Sequence, residues 1–363
     1  MEPRTKKVLI GVSIGCGGLI VLFLAAVVGF FVWVRQPGEL LEPGRLIGDD
    51  TVGYAEWTLR LEDPGTEQFV NELLDEIERN QSEAMDRIGS GPLAMLGQWQ
   101  RERDRRKFRE IFPFVAAWTL TRGETPDRRH HLLSVSIEKL GNMMVLGDWV
   151  LGLVVGGADQ DLTKIRYQDE VLFHAQGDPE GVTFFLRGND IFFTYDLDTA
   201  RDAVERLQPR APEARPPGAV DQLFALLPPD RALRAVLTND SGEIYDVWSR
   251  LSLPPDDPAA LKGTADELTG LTLAGGLQGD QKFEGVLSLR CPDPAWAEGY
   301  REEALRRFRE GLAFERLDLR ADAATEGEWI RIHFRIEGAL EPLTRLLQDR
   351  ADGKVLLPGD VTH

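Results

Sequence analysis

The sequence is poor in the side chains that form covalent cross-links or hold transition metals. Its 363 residues include only two cysteines, Cys16 inside a long apolar run and Cys291 far outside it. A disulfide between them would have to join a lipid phase to water, so it cannot form. We therefore expect a fold that stands without a disulfide framework, and cysteine usage indicates neither an oxidising nor a reducing compartment.

Histidine is also scarce, and its five occurrences do not have the spacing of metal ligands. His130 and His131 are adjacent, so on a strand they would point to opposite faces. His174 and His333 each lie within a strand-like run, and His363 is the last residue printed. We interpret all five as structural or surface residues.

Common catalytic motifs are missing as well. The sequence has no phosphate-binding loop, dinucleotide glycine fingerprint, H-E-x-x-H motif or catalytic cysteine and histidine context. Residues 11–15 spell the G-x-S-x-G nucleophile elbow, but they lie within the apolar run, where a nucleophile would have no access to water. We predict no catalytic, cofactor-binding or metal-ligating residues and no cofactor. A hydrolase whose residues meet only in three dimensions stays open as an alternative.

Two acidic segments resemble calcium loops, which use closely spaced carboxylates. Asp159 and Asp161 form one segment, and Asp196, Asp198 and Asp202 form the other. Neither segment reaches the full calcium-loop pattern. We predict instead that Asp198 caps the N-terminus of the helix that follows it.

The most prominent feature that is present is an uncharged apolar run at 8–34. As a helix it would be about 40 Å long, enough to span a hydrocarbon core of about 30 Å with some tilt. Arg4, Lys6 and Lys7 precede the run and acidic residues follow it, so the positive-inside rule places residues 1–7 in the cytoplasm. The sequence therefore predicts a single-pass anchor in the cell (inner) membrane, with the C-terminal region periplasmic or extracellular.

Two other interpretations of the apolar run remain. A cleaved signal peptide usually has an apolar stretch of about 7 to 15 residues, roughly half the length of this one. A lipoprotein signal would use Ser13 to Cys16, but it leaves the apolar residues after the cysteine unexplained. An uncleaved anchor accounts for the whole run.

The charge balance limits the partners. The formal net charge is −18, and beyond residue 35 the chain has 38 basic and 59 acidic side chains, a net charge of −21. Such a region repels nucleic acid and anionic lipid headgroups, so we predict no nucleic-acid partner. The predicted partners are the lipid bilayer, through residues 8–34, and a protein of the cell envelope. The oligomeric state stays open, because Gly11 and Gly15 allow two anchors to pack closely but such pairs also occur by chance.

Proline and glycine clusters divide the chain into parts. We predict a cytoplasmic tail at 1–7, the anchor at 8–34, a linker at 35–45, a first unit at 46–208, a proline-rich linker at 209–221, a second unit at 222–352 and a C-terminal tail at 353–363. The first unit has an insertion near 80–110. We interpret its charge run at 101–109 as a solvated helix with local ion pairs, and a docking site for an acidic partner is the alternative.

Hydrophobic periodicity predicts the same order of elements in both units. In the first unit it predicts strands at 52–59, 114–121, 132–138, 171–175, 182–187 and 191–195, with helices at 67–79, 142–155 and 199–207. In the second unit it predicts strands at 232–238, 270–277, 283–289, 314–319 and 329–336, with helices at 243–251, 294–310 and 340–349. Gly188-Asn189-Asp190 is predicted to form a hairpin turn.

This order predicts the fold class α+β, with an N-terminal transmembrane helix followed by two similar α+β repeats whose sheets are largely antiparallel. Two dissimilar α+β halves with the same order by coincidence are the alternative. In the repeat alignment Ala55 corresponds to Ala235.

The openings of the two units resemble a known family. The second unit opens with Leu227-Pro228-Pro229-Asp230, and the first with Ile47-Gly48-Asp49-Asp50 and then Tyr54-Ala55. These segments resemble uncharacterised bacterial proteins, anchored by one N-terminal helix, whose repeats begin with a Leu-Pro-x-Asp turn leading into a strand. The first unit lacks the proline. The resemblance covers most of residues 46–350 and implies a duplicated α+β fold, but it implies no activity.

The leading functional hypothesis is a non-catalytic, membrane-anchored, extracytoplasmic binding or scaffolding module of the cell envelope. The alternatives are an envelope hydrolase without a recognisable motif and a small-ligand sensor with a groove between the repeats. A cytoplasmic tail of about seven residues is too short to hold a signalling domain, which weighs against the sensor.

The predicted topology can be tested with reporter fusions. A reporter joined after His363 should be active only if it requires an extracytoplasmic location, because Arg4, Lys6 and Lys7 retain the N-terminus in the cytoplasm. Activity of a cytoplasm-only reporter at the same position would reverse this orientation.

Overall fold

The computed structural model describes residues 39–42, 44–72, 74–75, 109, 112–123, 129–138, 162–175, 181–208, 218–245, 258–278, 282–311 and 318–338. The predicted anchor at 8–34, most of the insertion near 80–110 and the helices predicted at 142–155 and 340–349 lie outside these ranges. Within them, no helix has both the length and the apolar character needed to cross a bilayer.

Twelve strands of the described chain form one antiparallel sheet. They are β1 (Thr51–Leu59), β2 (Phe114–Arg122), β3 (Arg129–Ile137), β4 (Leu162–Tyr167), β5 (Glu170–Ala175), β6 (Thr183–Arg187), β7 (Asp190–Thr194), β8 (Leu233–Thr238), β9 (Gly270–Gln278), β10 (Lys282–Arg290), β11 (Asp318–Glu326) and β12 (Trp329–Glu337). Their order across the sheet is β11-β12-β10-β9-β8-β1-β2-β3-β7-β6-β5-β4. The predicted α+β class with antiparallel pairing is confirmed.

Four helices accompany the sheet in the described ranges. They are α1 (Leu197–Leu207), α2 (Ala219–Ala225), α3 (Pro258–Glu267) and α4 (Pro294–Gly311), and residues 64–72 and 243–245 are also helical. Because side chains alternate between the two faces of a strand, each helix covers one face. We call these the α1 face and the α4 face.

The core lies on both faces of the sheet. On the α1 face, Ala203 and Val204 of α1 pack in one cluster with Leu132, Phe185 and Phe192 of the neighbouring strands. On the α4 face, the helix buries its apolar side, which includes Ala297, Ala304 and Leu305, against Ile330 and Ile332. The β12 sequence, which alternates apolar and charged residues from Trp329 to Glu337, therefore buries one row and exposes the other.

The middle of the sheet is the pairing of β1 with β8, in which Ala55 lies opposite Ala235. Outward from this pair the order is β1-β2-β3-β7-β6 on one side and β8-β9-β10-β12-β11 on the other, and β5 and β4 extend the first side. The β6–β7 and β11–β12 hairpins both turn on a two-residue loop that begins with a glycine at positive φ, 62° at Gly188 and 58° at Gly327. Glycine adopts this conformation without the steric cost that other residues carry.

A buried ion pair crosses the middle of the sheet. Glu56 and Arg234 are direct cross-strand neighbours, 2% and 7% exposed, and the Arg234 Nε donates to Glu56 Oε1 at 3.0 Å. Tyr54 donates to the other carboxylate oxygen at 2.9 Å. Burial, followed by the nearby Glu56 charge, raises the pKa of Tyr54, so the phenol keeps the proton that it donates. The Arg234 guanidinium also lies 4.5 Å from the centre of the Phe224 ring, a cation–π contact that completes its environment.

Removing one member of this pair should be costly. An Arg234→Met variant should lose about 3–5 kcal/mol of unfolding free energy, because Glu56 would remain buried without its cation. A double Glu56→Leu, Arg234→Met variant should lose less, since no buried charge is left unpaired. Denaturant unfolding of the detergent-solubilised chain measures both variants. Arg306→Met, which removes an exposed partner of Glu303 and Glu310 on α4, is the control and should change stability little. A single Arg234→Met variant as stable as the wild type would contradict the role of the pair.

A second polar group, Asp190, lies at the start of β7 between Ser136 on β3 and Arg187 on β6. Burial raises the pKa of Asp190 to about 6, although a hydrogen bond from Ser136 and the charges of Arg187 and Arg45 act in the opposite direction. Among the described residues its Oδ1 has no hydrogen-bond partner. The ionised carboxylate is therefore less stable here than in the unfolded chain.

This raised pKa predicts a pH-dependent effect of substitution. The contribution of Asp190 to stability is fully present below its unfolded pKa and is lost as the pH rises through about 6. Asp190→Asn should therefore gain stability relative to the wild type on going from pH 4.5 to pH 7.5, by about 1–2 kcal/mol. Unfolding curves of both proteins at the two pH values measure the difference. An effect of Asp190→Asn that is the same at both values would refute the prediction.

Several predicted elements need correction. The strand predicted at 314–319 is wrong in its bounds, because the observed strand runs from Asp318 to Glu326. Strand β4 and helix α3 were not predicted, and α2 begins at Ala219, inside the predicted linker at 209–221. In the other predicted linker, Leu41 is buried and its N–H donates to Ser136 Oγ at 2.9 Å.

Candidate functional site

An open groove of about 780 Å³ lies on the α1 face, in the half of the sheet formed by β8 to β12. Strands β9 to β12 form its floor, and the segment from Leu226 to Arg231, which joins α2 to β8, forms one wall. In the other half, the same face is covered by α1. The groove therefore lies beside the junction of the two halves. It does not separate them, because β1 and β8 are hydrogen-bonded to each other there.

The polar floor of the groove follows from the alternation of β11 and β12. On β12, Arg331, His333 and Arg335 face the groove, while the intervening Ile330 and Ile332 are buried under α4. On β11, Arg320 and Asp322 face the groove in the same way, and both are exposed. Two aromatic residues of β12, the half-buried Trp329 and the buried Phe334, also belong to the lining.

The two halves differ at matching positions on this face. Positions in the two halves can be matched by following the strand registers outward from the Ala55–Ala235 pair on each side. By this count Phe192 on β7 matches Arg331 on β12. Phe185 on β6 corresponds in the same way to Ala324 on β11. Phe185 and Phe192 stack at 4.5 Å between ring centroids and are fully buried beside α1. The groove thus lies where two aromatic side chains are replaced by an arginine and an alanine.

Within the described chain, the arginine side chains of the groove form only solvent-exposed ion pairs. Arg331 pairs with Glu326 at 2.9 Å, Arg320 with Asp318 at 3.2 Å, and Arg335 with Glu284. All of these pairs are open to solvent, where an ion pair contributes little and can exchange for a ligand group. A further arginine, Arg231, is exposed and makes no ion pair with the residues that the structure describes.

The groove also contains the residue types of a serine hydrolase. Asp322 lies directly opposite His333, and Ser288 lies diagonally across from His333 on β10. Within the described chain no hydrogen bond joins any two of these three side chains, and Asp322 and His333 are both exposed. An assembled triad needs the base within hydrogen-bond reach of the nucleophile. Ser288, His333 and Asp322 therefore have the residue types of a catalytic triad but not its hydrogen-bonded geometry.

The other predicted histidines have structural surroundings. His130 and His131 lie on opposite faces of β3, as predicted. His130 contacts Asp196 at 2.9 Å, and His131 accepts a hydrogen bond from the Trp118 indole at 3.2 Å. His174 contacts the Thr183 hydroxyl at 2.8 Å across β5 and β6. Of the predicted structural or surface histidines that the structure describes, only His333 faces the groove.

The cap of helix α1 is a different aspartate from the one predicted. Asp196, rather than Asp198, is the N-cap of α1, and it accepts hydrogen bonds from the Thr199 backbone N–H and hydroxyl, both at 2.7 Å. Burial acts to raise the pKa of Asp196, but these two bonds and the His130 contact outweigh it and lower the pKa. Asp198 instead pairs with Arg201 at 2.9 Å on the helix surface. These carboxylates stabilise the start of α1.

The described residues contain no cluster of three histidine, cysteine, aspartate or glutamate side chains that could hold a metal ion. Asp159, Asp161 and the charge run at 101–109 lie outside the described residues, apart from Arg109.

No family model, curated protein or solved structure matches this chain. The resemblance based on the Leu227 to Asp230 opening stays a prediction.

Sequence patterns did not point to the groove. Its residues come from four strands and a loop that are far apart in the chain, and apart from Leu227 and Pro228 of the Leu-Pro-x-Asp opening none of them belongs to a motif identified in the sequence. The one available signal was the spacing of Asp318, Arg320 and Asp322, in which charges at every second position indicate a strand with one solvated face.

Proposed function

We propose that this protein is a non-catalytic binding module, held at the extracytoplasmic face of the membrane by residues 8–34, whose binding surface is the groove. The observation that carries the proposal is the open, arginine-lined floor in one half of a sheet whose other half is closed by α1 over aromatic side chains. Tryptophan and arginine are the side chains that most often dominate protein interfaces, and here Trp329, Arg331 and Arg335 share one concave surface.

The partner that this surface fits best is a protein segment that carries carboxylates. The groove has four arginines, and the carboxylates that pair with three of them do so in solvent-exposed, weak contacts. Guanidinium groups bind carboxylates through two parallel hydrogen bonds, so a flexible acidic segment can replace these partners. The net charge of −21 beyond residue 35 opposes binding of such a segment elsewhere on this chain, which favours the arginine-lined groove.

We also propose that the body of the protein arose by duplication of one α+β unit. The matching strand orders on either side of β1 and β8 support this, as do the equivalent glycine turns at Gly188 and Gly327. The register adds support, since Ala55 and Ala235 correspond in the sequence alignment and also face each other in the sheet. In this interpretation the first copy has aromatic core side chains under α1, and the second copy has Arg331 and Ala324 at the matching positions.

A hydrolase is the second candidate, because Ser288, His333 and Asp322 line the same groove. Their lack of mutual hydrogen bonds within the described chain favours binding over catalysis, although catalytic contacts can tighten when substrate binds.

The binding proposal can be tested with a labelled hexaglutamate peptide. The full chain in detergent should bind it more tightly than a neutral hexaserine peptide, and the affinity should fall as salt is added. Arg331→Glu should weaken binding by about 5- to 10-fold, because it removes one charge contact and adds a repulsion. Arg306→Glu, an equivalent charge reversal on the exposed side of α4, should have little effect. Fluorescence anisotropy measures each variant with each peptide.

Two results would contradict the proposal. Equal loss of affinity in the Arg331→Glu and Arg306→Glu variants would mean that the peptide senses overall charge and does not occupy the groove. Hydrolysis of a p-nitrophenyl ester that is abolished by Ser288→Ala would support the hydrolase instead.

A further inference from the structure

Strand β11 is an outer edge of the sheet. It pairs with β12 in an unbroken register from Asp318 opposite Glu337 to Glu326 opposite Trp329. No strand of the described chain pairs with its other side, whereas β6, at the matching position of the other half, pairs there with β5. An open edge of nine residues without proline or bulge can accept a further strand.

The β11 sequence is complementary to itself in the antiparallel direction. Two antiparallel β11 strands in one sheet are related by a two-fold axis normal to the sheet, so each side chain stays on its own face. Residues that lie opposite each other must therefore belong to the same face, which requires that one residue of β11 lie on the axis. With Ala321 on the axis, Arg320 of each copy lies opposite Asp322 of the other, which gives two ion pairs. Leu319 then lies opposite Ala323 on the other face, and Asp318 lies opposite Ala324. Opposite charges at facing positions stabilise a strand pair.

The neighbouring registers are less favourable. With Arg320 on the axis, the two Arg320 side chains face each other and Asp318 faces Asp322. With Asp322 on the axis, two aspartates face each other and Asp318 faces Glu326. With Ala323 on the axis, Arg320 would face Glu326, but Glu326 is already paired with Arg331, and Asp322 would face Ala324 and stay without a partner. Arg320 is paired with Asp318 in the single chain and would share or exchange that partner in either register.

We propose that two copies of this chain associate through β11, antiparallel and with Ala321 of each copy on the two-fold axis, so that the two sheets become one. Asp322, which faces the groove without an ion-pair partner among the described residues, gains Arg320 of the other copy. Arg309 donates to the Ala321 carbonyl in the single chain and must release it if that carbonyl pairs across the axis. Because a strand pair of about seven residues is a small interface, anchoring both copies in one membrane would favour it through a high effective concentration.

Disulfide trapping tests this register in the membrane. In a full chain with Cys16→Ser, an Ala321→Cys substitution should form a covalent dimer on mild oxidation, because the two side chains would be neighbours across the axis. Ala323→Cys should not, since its partner is Leu319 of the other copy. Lys164→Cys, on the opposite edge strand β4, is the second control. Burial raises the pKa of Cys291 to about 11, so this remaining thiol should contribute no background.

Charge reversal tests the ion pairs independently. Added to the Ala321→Cys chain, Arg320→Asp or Asp322→Arg alone should reduce trapping at least about fivefold, and the two together should restore it. Both side chains are exposed, so neither change disturbs the core. Restoration by the double reversal supports the proposal. Three results would overturn it. The first is trapping that neither single reversal affects, and the second is trapping that is as strong at position 323 or 164. The third is trapping that depends only on Gly11 and Gly15 of the anchor. The groove variant Arg331→Glu affects peptide binding separately, so the two proposals can fail independently.

Discussion

The buried pair of Glu56 and Arg234 is the constraint on which the arrangement of the sheet depends. These residues are 178 positions apart in the chain, yet they face each other across the only strand pair that joins the two halves of the described sheet. A slip of β8 by one residue against β1 would turn Arg234 to the opposite face from Glu56 and leave each charge without its partner. A buried ion pair of this kind contributes less to stability than its geometry suggests, because both charges lose their hydration. We infer that its main effect is to specify one register.

Once this register is set, antiparallel pairing extends it outward through the sheet, partly by short hairpins and partly by long connections. On both sides of the central pair each further strand is antiparallel to the one before it, so the faces of all twelve strands are fixed together. The helices then decide which face is closed. Helix α1 covers aromatic residues in one half, whereas the matching positions of the other half have Arg331 and Ala324, which give a covering helix little apolar surface to pack against. The difference between the closed face and the groove is thus a difference of a few side chains on one framework.

The groove and the open edge belong to the same two strands. Arg320 and Asp322 line the groove and also lie on the edge, so association of two copies through β11 would place two grooves side by side on one continuous face. Pairing Asp322 of one copy with Arg320 of the other would neutralise both charges at the junction and leave Arg231, Arg331 and Arg335 of each groove for an acidic segment. In this way a weak interaction at the edge and a weak interaction in the groove would favour each other, as expected for multivalent binding at a membrane.

The sequence by itself determined those strands in which large apolar residues recur at every second position, because this period leaves little choice of structure. It predicted β10 and β12 to within a residue or so, together with the glycine turn at Gly188. It did not determine β11, since alanine and charged residues have low strand propensity and become a strand only by pairing with β12. It favoured Asp198 over Asp196 as the cap of α1, because spacing alone cannot tell which carboxylate reaches the free N–H groups. The groove was decided only by the tertiary structure, because its residues come from distant segments that meet when the sheet is complete.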